Sequence, residues 1–317
     1  MKYRFCGRSG LQLPVISLGM WHNFGGVDSY ENARDIAFHA FEKGVVHFDL
    51  ANNYGPPPGS AEENFGKMMR DGLATHRDEI IVSSKAGHLM WDGPYGDGSS
   101  RKYIMASINQ SLRRTGLEYF DIFYSHRYNP ETPLEETVQA LVDIVKQGKA
   151  LYIGLSKYPV DKAMEACAMM KAQNVRCLIY QDRYNMLVRR PEEQHVDFLR
   201  DEQLGFIAFS PLAQGLLTNR YLNGIPVDSR AARPSGFLHR EDITPEMVDK
   251  ISRLNQIALS RGQSLAQMAL SWLLAKPVVT SVIVGASSVR QLDDSLEAVD
   301  APDFTTDELS AIDSIIL

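Results

Sequence analysis

One apolar run of this sequence ends on an aspartate (VVHFD, Asp49), the next ends on a lysine (EIIVSSK, Lys85), and a third ends on a histidine (DIFYSH, His126). A tyrosine, Tyr54, stands in the Gly- and Pro-rich loop NNYGPPPGS just past the aspartate. These types suit one reaction class. A carbonyl that accepts hydride develops negative charge on oxygen and needs a proton there. Tyrosine can give it, although an ordinary phenol has a pKa of about 10. A lysine ammonium beside the phenol stabilises phenolate and lowers that pKa. An aspartate keeps the lysine charged and aimed, and a histidine donates a second hydrogen bond that polarises the carbonyl. Taken singly, each has a plainer role: Asp49 as a cap or ion-pair partner, Lys85 in solvent, Tyr54 in packing, His126 as a satisfied loop histidine. Their coincidence at strand ends carries the reading.

The elements that must position them follow from the pattern. After a hairpin (KYRFC, GRSG, LQLPVI) come the strand-like runs VISLGM, VVHFDL, EIIVSSKAG, YFDIFYSH, ALYIGLS, CLIYQ, GFIAFSP and TSVIVGAS. They alternate little, as strands buried on both faces do. Helical patterns at 29–43, 60–71, 103–115, LEETVQALVDIVKQG and VDKAMEACAMMKAQ separate them. Eight β-then-helix units predict an α/β fold, a (β/α)₈ TIM barrel, with the hairpin closing its floor and long loops on its C-terminal face. A doubly wound sheet is the competing architecture, and the lack of GxGxxG after the first strand weakens it. No linker divides the chain, so 1–317 is expected to be one domain. The longest irregular stretch, 214–246, is the length of a functional loop.

Composition narrows the class. The 317 residues are 44% hydrophobic and 23% charged, as in globular proteins. A net charge of −6 without a basic block argues against nucleic acid as partner. Cys6, Cys167 and Cys177 are odd in number and lack CxxC spacing, so reduced thiols in a cytoplasmic protein are expected, with no disulfide or metal site. MKYRFCGRSG has no apolar core of a leader, and no apolar run reaches membrane-span length.

FDLANNYG, SSKAG and YSHR resemble the Asp, Tyr, Lys and His motifs of the aldo-keto reductase superfamily, and the resemblance covers nearly the whole chain. WHNFG, ANNYGPPPGSAEENFG, PLAQGLLT, YLNGIP and MALSWLL bring it closest to the branch holding bacterial reductases of L-glyceraldehyde 3-phosphate and the potassium-channel β-subunits. The resemblance implies Asp49, Tyr54, Lys85 and His126 as catalytic residues and NADP (NADPH) as cofactor. By the same resemblance, Ser156 and Gln181 hold the nicotinamide carboxamide and Phe209 stacks on the ring. The run FSPLAQG, with Ser210 and the amides of Leu212 and Gly215, wraps the pyrophosphate. Arg220, Ser229 and Arg230, then Gly285, Ser287, Gln291 and Asp294, meet the adenosine phosphate end. Two features depart from the pattern: Lys157 follows Ser156 where many relatives have Asn, and Asp182 and Arg183 follow Gln181 where relatives are usually uncharged.

The substrate expectation is a small aldehyde, L-glyceraldehyde 3-phosphate first and methylglyoxal second. Trp21 and His22 are placed on the rim, Trp91 in a cap over the site, and Arg127 beside the carbonyl pocket as a phosphate contact. The plainer reading of Arg127 is a salt bridge to an acid such as Glu131. The resemblance also implies a homo-oligomer, a tetramer or larger. Two other functions compete: a cofactor-sensing regulatory subunit resembling the channel β-subunits, and a barrel aldolase with Lys85 as Schiff-base lysine. Asp49 beside Lys85 argues for a charged lysine and against the aldolase.

Overall fold

The computed structural model describes residues 1–227, 229–232 and 238–316. The expected hairpin is present: β1 (Tyr3–Phe5) and β2 (Gln12–Pro14) pair antiparallel, with Arg4 opposite Leu13. Gly7 sits in its turn at φ +54°, and a Cβ there would lie 2.3 Å from the Gln203 carbonyl oxygen, so the turn presses on the main body where only glycine fits. Cys6 and Leu13 from the hairpin pack against Ile81, Ile122, Ile179, Ile207 and Ile283. Those side chains come from five different strands, so the hairpin plugs the barrel from below.

The strands that follow are β3 (Ile16–Gly19), β4 (His47–Asp49), β5 (Ile81–Ala86), β6 (Phe120–Ser125), β7 (Ala150–Ser156), β8 (Cys177–Arg183), β9 (Gly205–Phe209) and β10 (Ser281–Val284). They are all parallel and close in the order β10-β3-β4-β5-β6-β7-β8-β9, the expected TIM barrel. Parallel neighbours need a crossover between them. The crossovers are α1 (Tyr30–Glu42), α2 (Ser60–Asp71), α3 (Arg101–Thr115), α4 (Leu134–Lys146), α5 (Val160–Ala172), and the short pair α6 (Arg190–Gln194) and α7 (Val196–Asp201). Past β9 the described chain makes only single 3₁₀ turns until α8 (Pro245–Ser260), close to the predicted irregular stretch; α9 (Leu265–Leu274) precedes β10, and α10 (Val289–Leu296) and α11 (Thr306–Ile316) follow it.

Local chemistry starts these helices close to the predicted positions, with α3 beginning at Arg101, two residues before the predicted 103. Ser29 caps α1 by accepting from the Asn32 amide at 3.2 Å, and Ser100 caps α3 through the Tyr103 amide at 3.2 Å. The inner side of α2 buries Phe65, Met68 and Met69, each contributing about 1.5–3 kcal/mol of transfer free energy. Gly66 on that helix lets α3 come close, since a Cβ would meet the Arg114 carbonyl oxygen at 2.3 Å. All three cysteines are free and buried. Among the described residues no helix is long and apolar enough to cross a membrane.

Register sets the level of the site. Asp49 is opposite Ser83, Lys85 opposite Tyr124, and Ser156 opposite Gln181. The polar residues that end the apolar runs therefore face one mouth.

Candidate active site

Asp49 and Lys85 meet inside the barrel at 2.6 Å, Nζ to Oδ2, both buried. The ammonium also donates to the Leu50 carbonyl oxygen at 2.7 Å and reaches the Tyr54 hydroxyl at 3.4 Å. Its three protons thus have three acceptors, and the phenol is the longest contact. Asp49 Oδ1 accepts from Ser83 Oγ at 2.8 Å and from Gln181 Nε2 at 3.2 Å.

Because an ionised carboxylate only accepts, a hydrogen-bonded chain below Asp49 takes one direction. Ser83 donates to Asp49, so His47 Nε2 donates to Ser83 Oγ at 3.0 Å. His47 Nδ1 then accepts from Ser17 Oγ at 2.8 Å, and Ser281 Oγ donates to Ser17 at 2.7 Å. Burial holds the His47 imidazole down to about 4, neutral as this chain requires. The sequence reading passed over His47. The signal for it was two-residue spacing: His47 and Asp49 lie on the same face of β4.

Tyr54 is held from its backbone. Its amide donates to Ala51, and its carbonyl accepts from Gly59 at 3.1 Å and Ala61 at 3.3 Å, which ties the loop to the start of α2. Its ring stacks on Trp21 at 5.9 Å and stands edge-on to His126 at 6.0 Å. The expected lowering of its pKa is not what the structure holds. Burial, then the charge of Asp49, push the phenol well above its ordinary value. The physical reason is that exclusion of water penalises phenolate, and the Asp49 carboxylate beside it adds to that penalty. The phenol keeps its proton, which suits a donor.

His126 is buried, and its Nδ1 has no hydrogen-bond partner among the described residues. Burial and the neighbouring Lys157, Lys85, His88 and Arg127 hold it well below the usual histidine value, so it is a neutral donor. His88, the partner that sequence reasoning missed, stands edge-on to it at 4.4 Å. His88 Nε2 accepts from Lys157 Nζ at 2.9 Å, so its proton lies on Nδ1. Burial, then Lys157, hold His88 down to about 4. Its position just past the end of β5 was the available clue.

The other expected substrate residues are placed as follows. Arg127 Nη2 donates to both oxygens of Asp97, at 2.7 and 2.8 Å, and its Nε donates to the Gly87 carbonyl at 2.6 Å. Of the two readings of Arg127, the structure shows the salt bridge, with Asp97 as the acid in place of Glu131. Trp21 stacks on His22 at 4.1 Å beside Tyr54, at the rim. Trp91 is exposed and leans on Tyr103 at 6.0 Å.

On the other side of the mouth lie the residues expected to hold cofactor. Ser156 Oγ and Ser229 Oγ are buried without a hydrogen-bond partner among the described residues. A buried hydroxyl left so costs about 1–3 kcal/mol, which a polar ligand reaching it recovers. That feature fits a nicotinamide dinucleotide along β7, β9 and the loop past it. Phe209 ends β9 with the Arg183 guanidinium 6.0 Å from its ring. Ser210 and Gln214 have φ of +53° and +61°, and Gly215 has +101°, an unusual turn in one short run. Two of these residues have partners within the fold. The Gly215 amide donates to Leu212 O at 2.8 Å inside that turn. Asp294 accepts from Gln267 Nε2 of α9 at 2.9 Å, a helix-packing contact. Gln291 Oε1 receives both the amide and the hydroxyl of Ser287, each at 2.8 Å, next to exposed Gly285. Arg220 lies in the 3₁₀ turn Asn219–Tyr221; the side chain of Arg230 lies outside what the structure describes.

The family model described as Aldo/keto reductase family matches residues 15–317. The chain is 52% identical over 322 residues to L-glyceraldehyde 3-phosphate reductase of Escherichia coli (strain K12), covering 100% of this chain and 92% of that protein. It is 35% identical over 323 residues to a probable voltage-gated potassium channel subunit beta of Arabidopsis thaliana, covering 100% and 97%. The Oryza sativa subsp. japonica protein of the same name is 34% identical over 323 residues, with the same coverage.

Proposed function

Because the chain belongs to the aldo/keto reductase family, we propose that it reduces small aldehydes with NADPH, L-glyceraldehyde 3-phosphate foremost and methylglyoxal as a secondary substrate. The observation that carries the chemistry is the convergence of Lys85 on Asp49 at 2.6 Å and on Tyr54 at 3.4 Å, with His126 edge-on to the phenol. The 52% identity to the E. coli reductase supports the substrate.

Bound NADPH supplies hydride to the carbonyl carbon. Tyr54 gives its proton to the carbonyl oxygen. Lys85 balances the phenolate left behind, and Asp49 keeps Lys85 charged in a dry site. His126, neutral, donates a hydrogen bond that orients the carbonyl. Ser156 and Gln181 are the proposed carboxamide contacts and Phe209 the stacking platform. Ser210 and Leu212 line the pyrophosphate, with Gly215 shaping the turn. Arg220, Ser229 and Arg230 are proposed for the 2′-phosphate, and Gly285, Ser287 and Gln291 for the adenosine end. Trp21 and His22 wall the substrate side. We read the whole chain as one reductase unit, cytoplasmic and homo-oligomeric.

The test is NADPH oxidation by the purified chain against a panel of short aldehydes, phosphorylated and not. Oxidation that depends on Tyr54 and favours glyceraldehyde 3-phosphate is expected. No oxidation with any aldehyde sinks the proposal. It would favour the second reading, a cofactor-sensing subunit, which the 34–35% identity to the plant channel subunits supports.

A further inference from the structure

We propose that Lys157 recognises an anionic group, a phosphate, on the aldehyde substrate. The inference rests on the reductase reading and names the residue by which that site selects charge.

Position comes first. Lys157 directly follows Ser156, the last residue of β7, at the mouth where His126 lies. Its backbone is in the left-handed region, φ +55°, and its amide donates to the Gln181 carbonyl at 3.2 Å. The side chain reaches across to His88 Nε2 at 2.9 Å, and His88 stands 4.4 Å from His126, centroid to centroid. One imidazole thus separates the ammonium from the group that meets the carbonyl. In a three-carbon phosphorylated aldehyde, only a few bonds separate carbonyl and phosphate.

Charge comes second. Among the described residues, Lys157 forms no ion pair; its partner is a neutral imidazole. The acids around it are already engaged. Asp97 holds Arg127, Asp49 holds Lys85, and Asp182 is bound by Arg190 Nη2, with the Arg183 amide on its other oxygen at 2.7 Å. A half-buried cation without a counter-ion is unfavourable, and a bound anion relieves it. Arg183 adds positive field at the same place, and Lys85 and Arg127 add what their acid partners leave uncancelled. Burial, then those cations, bring the Lys157 ammonium down to about 8, so it is still mostly charged at neutral pH. A lysine grips phosphate as a point charge and needs no fork geometry. Arg127, the cation the sequence pointed to, is neutralised by Asp97. Lys157 is not.

The test uses the full chain as wild type, Lys157→Met and Lys157→Arg. With NADPH, kcat/KM is measured for glyceraldehyde 3-phosphate and for glyceraldehyde, the same skeleton without the charge. The ratio of the two is expected to fall about 10- to 100-fold in K157M, the scale of one hydrogen bond to a charged group, and to recover in part in K157R. Binding of inorganic phosphate, followed by phosphorus NMR line broadening, is expected to weaken in K157M and needs no turnover. An unchanged ratio overturns the proposal. So does a loss fully explained by weaker NADPH binding, titrated by tryptophan quenching, because Lys157 would then serve the cofactor. If wild type reduces neither aldehyde, the reductase reading is what fails. Phosphate binding then decides the proposal alone: dependence on Lys157 upholds it, and independence overturns it.

Discussion

The Lys85 ammonium lies 2.6 Å from Asp49 Oδ2, and both groups are shut away from water. Neither is tolerable there without the other. Lys85→Met is expected to abolish turnover and to destabilise the fold by about 3–5 kcal/mol, because it leaves a buried carboxylate unpaired. Asp49→Asn combined with Lys85→Met should restore much of the stability and none of the activity. Urea unfolding and kcat on wild type, the single variant and the double variant check this. A stable, active single variant would make the lysine dispensable.

Tyr54→Phe removes only the hydroxyl that Lys85 reaches at 3.4 Å. NADPH binding should persist, while the chemical rate falls by roughly 10²–10⁴-fold, the range of a lost general acid. Single-turnover kinetics separate the two. Near-normal chemistry in this variant would remove the phenol from the mechanism.

Acid should loosen the barrel through His47. Burial holds it at about 4, against its ordinary 6.5 in the unfolded chain. Between those values the unfolded chain binds a proton that the folded barrel refuses. Stability attributable to His47 is therefore intact above pH 6.5, is lost as pH falls towards 4, and levels off below. The loss approaches about 3 kcal/mol. His47→Asn should be less stable at neutral pH yet show a shallower decline over that window. A decline as steep as wild type in unfolding titrations would place the acid sensitivity elsewhere.

Arg220→Ala should weaken NADPH more than NADH, since only NADPH carries the 2′-phosphate that a guanidinium grips in a fork. Dissociation constants for both cofactors decide it. Equal weakening would move Arg220 to the pyrophosphate or to packing.

Arg127→Ala frees Asp97 and the Gly87 carbonyl, which anchor the segment after β5. The ion pair is half exposed, so stability should change by no more than about 1 kcal/mol. kcat/KM should fall for charged and uncharged aldehydes alike, because a loosened segment disturbs the shared pocket. A loss confined to the phosphorylated aldehyde would return Arg127 to the phosphate.

What the sequence by itself determined is whatever is written locally. Short apolar runs ending in Asp49, Lys85 and His126, separated by helical periods, specify parallel strands with crossovers, and the barrel then brings the strand ends to one mouth. The helices capped by Ser29 and Ser100 were legible within two residues because helical periodicity and capping involve only neighbouring residues. The tertiary structure alone decided the pairings between distant residues. Arg127 finds Asp97 thirty positions back, and Lys157 finds His88 sixty-nine positions back, across two strands. The loops after β5 and β7 place those side chains, and no periodicity encodes loop paths. The Tyr54 phenol moved opposite to expectation because a sequence shows which charges are near but not how far water is excluded. The partners that Asp294 and Gly215 have within the fold were hidden for a related reason. A helix-face side chain or a turn amide meets the partner that the packed fold brings to it, and for these two the partners are Gln267 and Leu212.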